Sequence, residues 1–499
     1  MSEHFINIED ARADLLACAA FLGEIIKSAD GHSEAMNAVV PYYLEKGEVD
    51  LAAEFANTVD DPFSRDKLLI LVAEKCASID DDEYALQLVE AVEDYGLQLQ
   101  GLEKLVQQKA FKGDFDKAFD FADRLQHNEF AHAEIAIRKA SAGDETGAAE
   151  IIENIEFPSA KVAAFVSIAA NLIAKESNEK AVELLNNAAS ESLNIEHAEE
   201  KIRALNDIGN LFIEAKRNDR AIETFDKAKS EAVKLDNTHK DYLLASASLG
   251  FFKAGSVDLA DRTLDLVADK TQISSVLVGF SREYWSKDEK NEAVEALEEA
   301  YAVLKSQHER ETRDSKAKFG LLTTIAVQFA QYEKPERALE IAQTNPSESE
   351  ETSALQQIAQ VYALRGKDDL IEQTLKAIRE DSDRMFAQIA VSDAKERIEK
   401  REDAVKFLTE AANLAETVPQ LSLRSSALNE IAARFIKYGN KEKARELSHE
   451  NLEIIEEIRD DSIRSVALAN LSEVYTAGNF ELNEAEKTTL YTMIRKAEM

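Results

Sequence analysis

Apolar residues recur along this chain at the spacing of amphipathic helices, and the same arrangement returns many times. In each copy a residue that is nearly always alanine lies in the second of two apolar stretches, and it serves as the anchor of that copy. Successive anchors are most often 33 residues apart. The anchors are Ala52, Ala85, Ala118, Ala148, Ala181, Ala221, Ala260, Ala293, Ala338, Ile371, Ala404 and Ala444.

Each copy predicts two helices joined by a tight turn. Twelve residues before most anchors lies a small residue. Large apolar residues precede and follow it at helical spacing, so that together they form one face of the first predicted helix. Five residues before six of the anchors lies a glycine, as expected where the residue that ends a helix takes a positive φ. One such hairpin cannot bury its apolar face alone, so the copies are predicted to stack as a solenoid. The six glycines are Gly47, Gly113, Gly143, Gly255, Gly366 and Gly439.

This order of residues resembles the tetratricopeptide repeat. A large apolar residue is followed by an apolar-small pair, an aromatic residue and the anchor alanine, and the family's two-helix unit has a period near 34 residues. The resemblance implies an all-α, right-handed superhelical solenoid of about twelve antiparallel helix pairs. It implies an array over residues 31–478, a capping helix over 1–30 and a second capping helix over 479–499.

Two other helical repeats fit the sequence less well. HEAT-type repeats have periods of about 40 to 47 residues, and residues 461–474 have a D-x-x-R start of that kind, but the 33-residue step and the small anchors disfavour them. Pentatricopeptide arrays share the shorter period but bind RNA, which the charge of this chain disfavours.

The charge restricts the partners. Lys and Arg total 59 against 96 Asp and Glu, which gives a formal net charge of -37. Such a surface repels phosphate backbones and anionic membranes, and the sequence has no long run of Lys or Arg, so neither nucleic acid nor a membrane is predicted as a partner. The charge is interpreted as a source of solubility, and the alternative is attraction of a basic protein partner.

The compartment is predicted from the cysteines and the absence of targeting signals in this sequence. Cys18 and Cys76 are the two cysteines, and neither lies in a metal-ligand spacing. The first residues are acidic, without a secretory signal, and no window contains the roughly 20 apolar residues of a membrane helix. These features predict a cytoplasmic protein.

Motifs that carry chemistry are absent from the sequence. It contains no phosphate-binding glycine loop, no H-E-x-x-H and no G-x-S-x-G. His127 and His132 are five residues apart, which is off the helical pitch that would direct both to one metal ion. The sequence therefore predicts a protein that is not an enzyme, with no catalytic residue, no cofactor and no metal site.

A basic residue recurs eight positions before the small residue, at the start of a predicted helix. A cation there opposes the helix dipole, so another interaction must favour it. One interpretation is pairing with carboxylates of the preceding copy, and the other is a row of cations that faces a ligand. The residues are Arg65, Lys161, Lys201, Lys240, Lys318, Arg384, Arg424 and Arg464.

The resemblance also places a candidate binding groove. In tetratricopeptide arrays the first helices line a concave groove that holds segments of other proteins, and the matching positions form one helical face. Arginines there are suited to a carboxylate, asparagines to backbone amides and aromatic residues to apolar side chains. The alternative is that these side chains pack between neighbouring helices as core. The candidate groove residues are Arg203, Asn206, Asn210, Tyr242, Phe252, Arg282 and Trp285.

The predicted function follows from this groove. The first hypothesis is a non-enzymatic protein–protein interaction scaffold or adaptor that binds a peptide segment or partner. The alternative is a regulatory receptor whose groove binds a short peptide or a small ligand. A third hypothesis is an enzyme with a site assembled across repeats.

Overall fold

The computed structural model describes residues 4–307 and 315–498, and this part of the chain is helical with no β-strand. The predicted all-α class is therefore confirmed. A short 3-10 helix spans Ser192–Asn194. The α-helices of the described residues are α1 (Ile8–Ala11), α2 (Leu15–Ile25), α3 (Ala29–Lys46), α4 (Val49–Asn57), α5 (Pro62–Ser78), α6 (Asp82–Glu90), α7 (Tyr95–Lys112), α8 (Phe115–Ala122), α9 (Glu129–Ser141), α10 (Glu145–Asn154), α11 (Pro158–Ala174), α12 (Asn178–Glu191), α13 (Ala198–Glu214), α14 (Asn218–Ala232), α15 (Lys240–Lys253), α16 (Val257–Leu264), α17 (Lys270–Ser286), α18 (Lys290–Lys305), α19 (Ser315–Gln331), α20 (Pro335–Gln343), α21 (Glu348–Leu364), α22 (Asp368–Ala377), α23 (Asp381–Arg397), α24 (Arg401–Ala415), α25 (Leu421–Lys437), α26 (Lys441–Glu457), α27 (Asp461–Gly478) and α28 (Glu484–Ala497).

The helices form tandem hairpins in which a first helix packs on the second helix that follows it, and most first helices also contact the next first helix. This is the TPR-like solenoid organisation that the repeat pattern predicts. None of the helices within residues 4–307 and 315–498 is both long and apolar enough to cross a bilayer.

The turn of each hairpin has a left-handed residue five positions before the anchor. The six predicted glycines have φ between 66° and 94°, which confirms the expectation for them. The same position has a positive φ in the other six copies, where Asp80, Glu176, Lys216, Asp288, Glu333 and Glu399 occupy it. At Lys216 the main-chain N–H donates to Ile213 O at 2.9 Å, and Arg217 N–H donates to Phe212 O at 2.8 Å. These two bonds form a Schellman motif, which satisfies carbonyls at the end of the first helix.

The small residue of the first helix contacts the anchor of the second helix. Where it is serine, its hydroxyl donates to the anchor carbonyl, as in the bond of 2.8 Å from Ser248 Oγ to Ala260 O. Ser281 and Ser392 bond in the same way to Ala293 and Ala404. A larger side chain would separate the two helices at this point, which explains why the position is small.

Two compact units divide the chain. Unit 1 comprises Met1–Leu105 and Leu355–Met499, and unit 2 comprises Val106–Ala354.

Within unit 1 the amino-terminal helices pack on the carboxy-terminal ones. Helix α2 contacts α3 and α27, and its residues from Leu15 to Gly23 are all buried. Ser465 Oγ on α27 donates to Ala19 O at 2.7 Å. Tyr42 OH donates to Asn470 Oδ1 at 3.0 Å. The two predicted capping segments therefore both belong to unit 1, and their role as caps stays a prediction.

Helix α28 is held in unit 1 by a buried carboxylate. Glu486 accepts two bonds of 2.7 Å from Arg445, one of 2.8 Å from Tyr475 OH and one of 2.9 Å from Asn483 N–H. Burial raises the pKa of Glu486, but these hydrogen bonds outweigh it and hold the pKa at about 2. The carboxylate therefore remains ionised inside the unit.

Several of the basic residues at the helix starts donate to carbonyls at the end of the preceding second helix. Arg384 Nη2 donates to Ile378 O at 3.1 Å, Lys240 Nζ to Val233 O at 3.1 Å, and Arg464 Nη2 to Ile458 O. These carbonyls lack an intrahelical partner and lie at the negative end of a helix dipole, which explains the recurring cation.

The predicted pairing of this series with carboxylates also occurs at some positions. Arg424 pairs with Glu450 at 2.6 Å and Arg65 with Glu93 at 3.0 Å. In these two pairs the carboxylate is on the second helix of the same copy or at the start of the following copy. Two other members of the series pair with an aspartate three residues earlier in their own helix. None of these four carboxylates belongs to the preceding copy.

Candidate functional site

The candidate groove residues lie on α13, α15 and α17 of unit 2, which are consecutive first helices that pack on one another. Arg203 is exposed on α13. Tyr242, near the start of α15, is 52% exposed. These two side chains are open to a partner.

The two asparagines of α13 differ in their environment. Asn206 is buried, and its Nδ2 donates to Leu243 O of α15 at 3.3 Å. Its Oδ1 is also buried and accepts no hydrogen bond from the described residues. Asn210, one turn further along, is half-buried. Asn206 therefore joins two neighbouring helices, while Asn210 remains partly accessible.

Phe252 is buried between first helices. Its ring stacks on Phe280 of α17 with a centroid distance of 4.0 Å and an interplanar angle of 17°. The ring of Tyr284 meets it edge-on at 5.0 Å. For this residue the alternative interpretation from the sequence, packing between neighbouring helices, describes what the structure shows.

Arg282 and Trp285 are held by residues at the end of α19. Arg282 Nε donates to Gln328 Oε1 at 2.8 Å, and Trp285 stacks on Tyr332 with a centroid distance of 3.9 Å and an angle of 14°. Arg282 is nevertheless exposed and Trp285 half-buried. Both side chains are therefore positioned before any partner binds, which lowers the entropy lost on binding.

Sequence reasoning missed Gln328 and Tyr332, although a signal for the tyrosine exists. Tyr332 OH lies 2.9 Å from Ser281 Oγ, and Tyr438 OH lies 3.2 Å from Ser392 Oγ. In both cases a serine at the small position is matched by a tyrosine six residues after the small position of the next copy. Burial raises the pKa of Tyr332, and its bond with Ser281 opposes this effect.

The candidate face thus contains a buried part and an accessible part. Asn206 and Phe252 connect first helices, while Arg203, Asn210, Tyr242, Arg282 and Trp285 retain accessible surface. Guanidinium groups and amphipathic rings of this kind bind carboxylates and the side chains of other proteins. The accessible part is suited to binding a protein segment.

No model of a known protein family matches this chain. No curated protein matches it either.

Solved structures of helical proteins are similar to the chain at low identity. Ton1535 from Thermococcus onnurineus NA1 is 18% identical, with a TM-score of 0.25, over 81% of this chain and 98% of that one. The TPR-like repeats of a putative kinesin light chain from Podosopora anserina are 16% identical, with a TM-score of 0.24, over 45% of this chain and 100% of that one. A Rap protein complexed with competence and sporulation factor is 12% identical, with a TM-score of 0.28, over 64% of this chain and 97% of that one.

Proposed function

We propose that the protein is a non-enzymatic protein–protein interaction scaffold that binds a peptide segment of a partner along α13, α15 and α17. The observation that carries the proposal is the accessible set of Arg203, Tyr242, Arg282 and Trp285 on three consecutive first helices. Arginine and large aromatic residues are the side chains that contribute most at protein interfaces.

The contacts around the face support a specific mode of binding. Tyr332 and Gln328 hold Trp285 and Arg282 in place, so these two serve as fixed anchors. Arg203 and Tyr242 lie on α13 and α15, the first helices that precede α17 in the stack. A partner segment that carries a carboxylate and apolar side chains is the best fit to this set.

The net charge of -37 influences how the partner approaches. A strongly negative protein accelerates association with a protein that is basic overall. We therefore propose a partner that is basic as a whole but presents an acidic and aromatic or aliphatic segment to the face.

The proposal is tested by identifying partners of the tagged full-length chain in its native host and measuring the affinity of one purified partner. Arg203→Ala and Tyr242→Ala are each expected to weaken that affinity at least tenfold. Tyr95→Ala is the matched control, since Tyr95 is 54% exposed near the start of a first helix in unit 1. The proposal fails if the same partner binds the two face variants as tightly as it binds the control.

The only tryptophan of the chain provides a second measurement. Trp285 lies on the face, so its fluorescence emission reports occupancy of that face directly. We expect the emission to shift when the partner segment is added. Trp285→Phe should remove this signal but largely preserve the affinity, because the phenylalanine ring keeps part of the aromatic contact. An unchanged emission spectrum in a saturated complex would place the partner elsewhere.

A further inference from the structure

A half-open pocket of about 700 Å³ lies between α10, α11 and α12 in unit 2. This volume is within the roughly 300 to 1,000 Å³ of small-molecule sites. None of the candidate groove residues lines it. Its apolar lining includes Phe165, Ile168 and Leu172 from α11, Ala148 and Ile152 from α10, and Leu184 from α12.

The pocket exposes side chains that are core elsewhere in the array. Phe165 and Leu172 lie four residues before and three after the small residue of their copy, and both are only half-buried. The equivalent residues of the next copy, Leu205 and Phe212, are buried. The apolar surface left open in the pocket favours a ligand with an apolar body, because covering it removes that surface from water.

Lys161 lies at one end of the pocket, and its ammonium group forms no ion pair with the described residues. It belongs to the basic series and lies six residues after Ile155, the C-cap of α10. Arg384 and Arg464 lie six residues after Ile378 and Ile458, the equivalent C-caps, and donate to their carbonyls. Within the described part of the chain, the side chain of Lys161 has no hydrogen-bond or ion-pair partner and lines the pocket instead.

The other charges of the lining restrict the ligand further. Lys180 pairs with both carboxylate oxygens of Glu145 at 2.8 Å, and both residues are exposed. Glu153, Glu183 and Lys175 are exposed as well. Exposed charges are screened by water and salt, so they contribute little to binding.

Two charged residues of the lining are half-buried, namely Lys161 and Glu191. Glu191 accepts a hydrogen bond from Asn194 at 3.3 Å, so its charge is partly satisfied. The unsatisfied charge in the less solvated part of the pocket is therefore the ammonium of Lys161. A single carboxylate can pair with Lys161, whereas further negative charges on the ligand are disfavoured by the half-buried Glu191.

We propose that this pocket binds a small amphipathic monocarboxylate. The carboxylate pairs with Lys161 Nζ, and the apolar body lies over Phe165, Ile168 and Leu172. Lys161 and Leu172 are separated by about 16 Å along the helix, at 1.5 Å per residue, so the body is elongated. This site is independent of the proposed peptide-binding face.

The test is calorimetric titration of the full-length protein with decanoate, with decylammonium as the probe of opposite charge and equal chain length. We expect one decanoate per chain and at least tenfold weaker binding of decylammonium. Lys161→Met should weaken decanoate binding at least tenfold. Lys201→Met is the matched control, since Lys201 has the same repeat position, is half-buried and lies outside the pocket, and it should change affinity less than twofold.

A second variant tests the location without changing charge. Ala149 is an exposed residue of the pocket wall, so Ala149→Phe is compatible with folding and should occlude the pocket. It is expected to abolish decanoate binding, while decanoate should leave the emission of Trp285 unchanged in the parent protein.

Three results would each overturn the proposal: no binding of decanoate, equal or tighter binding of decylammonium, or undiminished binding by both Lys161→Met and Ala149→Phe. None of these results affects the peptide-binding proposal, which is read from Trp285 and the partner.

Discussion

Two sites of unit 2 are formed by residues at equivalent repeat positions, but different side chains fill them. In the closed site, Phe225 of α14 packs between α13 and α15, where a Cβ on Gly209 or Gly250 would lie 2.5 or 2.4 Å from its ring. In the open site, formed by α10, α11 and α12, Ile152 has the position of Phe225 and Asn171 has that of Gly250. Both residues line the 700 Å³ pocket.

The difference shows that the repeat sets the register of the helices but not the volume between them. A large ring opposite two glycines fills the closed site to the density of a protein interior. A shorter aliphatic side chain and a polar residue at the same positions leave the open site accessible. The residues that vary between copies therefore decide where a ligand can enter.

The largest expected effect comes from removing the ring of the closed site. Phe225→Ala leaves a buried cavity and should lower the free energy of unfolding by about 3–5 kcal/mol. Leu172→Ala in the open site removes a half-buried side chain that faces the pocket, and it should cost about 1 kcal/mol or less. Chemical denaturation and hydrogen exchange of the surrounding amides measure both. Equal losses would mean that the open site is closed in solution.

The second prediction concerns the glycine of the closed site. Gly209→Ala adds a methyl group against a ring that Gly250 confines on its other side, so we expect a net loss of about 1–2 kcal/mol. Gly320→Ala in α19 is the control, since an added Cβ meets no atom within 4 Å. There the higher helix propensity of alanine should raise stability by about 0.5–1 kcal/mol. A gain at both positions would show that the closed site accommodates extra volume.

The third prediction makes the open site more like the closed one. Ile152→Phe places a ring at the repeat position of Phe225, and it should extend into the pocket. We expect stability to rise by about 1 kcal/mol through added apolar burial, and decanoate binding to be lost. Denaturation and calorimetry of the same variant measure the two effects. A stabilised variant that still binds decanoate would separate the pocket from the ligand site.

The sequence predicted the fold in much greater detail than the candidate site. Helical periodicity and the six glycines suffice for the hairpins and their turns, because each depends on residues close in sequence. The burial of Asn206 and Phe252 depends on how closely successive first helices approach. That distance cannot be predicted from the apolar pattern within one helix. The pocket was missed because it arises from volume that Ile152 and Asn171 do not fill.

The turns provide the smallest expected effect, and they show what the two sites share. The turn between α11 and α12, beside the open site, has Glu176 at φ 60°, and the turn between α13 and α14 of the closed site has Lys216 at φ 61°. Neither side chain makes a hydrogen bond or ion pair in the described residues, and a left-handed conformation costs any residue with a Cβ more than it costs glycine.

Glu176→Gly and Lys216→Gly should therefore each raise stability by about 0.5–1 kcal/mol, although one borders a pocket and the other a filled core. Gly255→Ala, at φ 87° in the next hairpin, is the reverse control and should lower stability by a similar amount. The three variants are compared by their denaturation midpoints at equal slope. If only Lys216→Gly were stabilising, the effect of a turn substitution would depend on how the neighbouring site is packed. The turn and the packing between the helices would then be coupled.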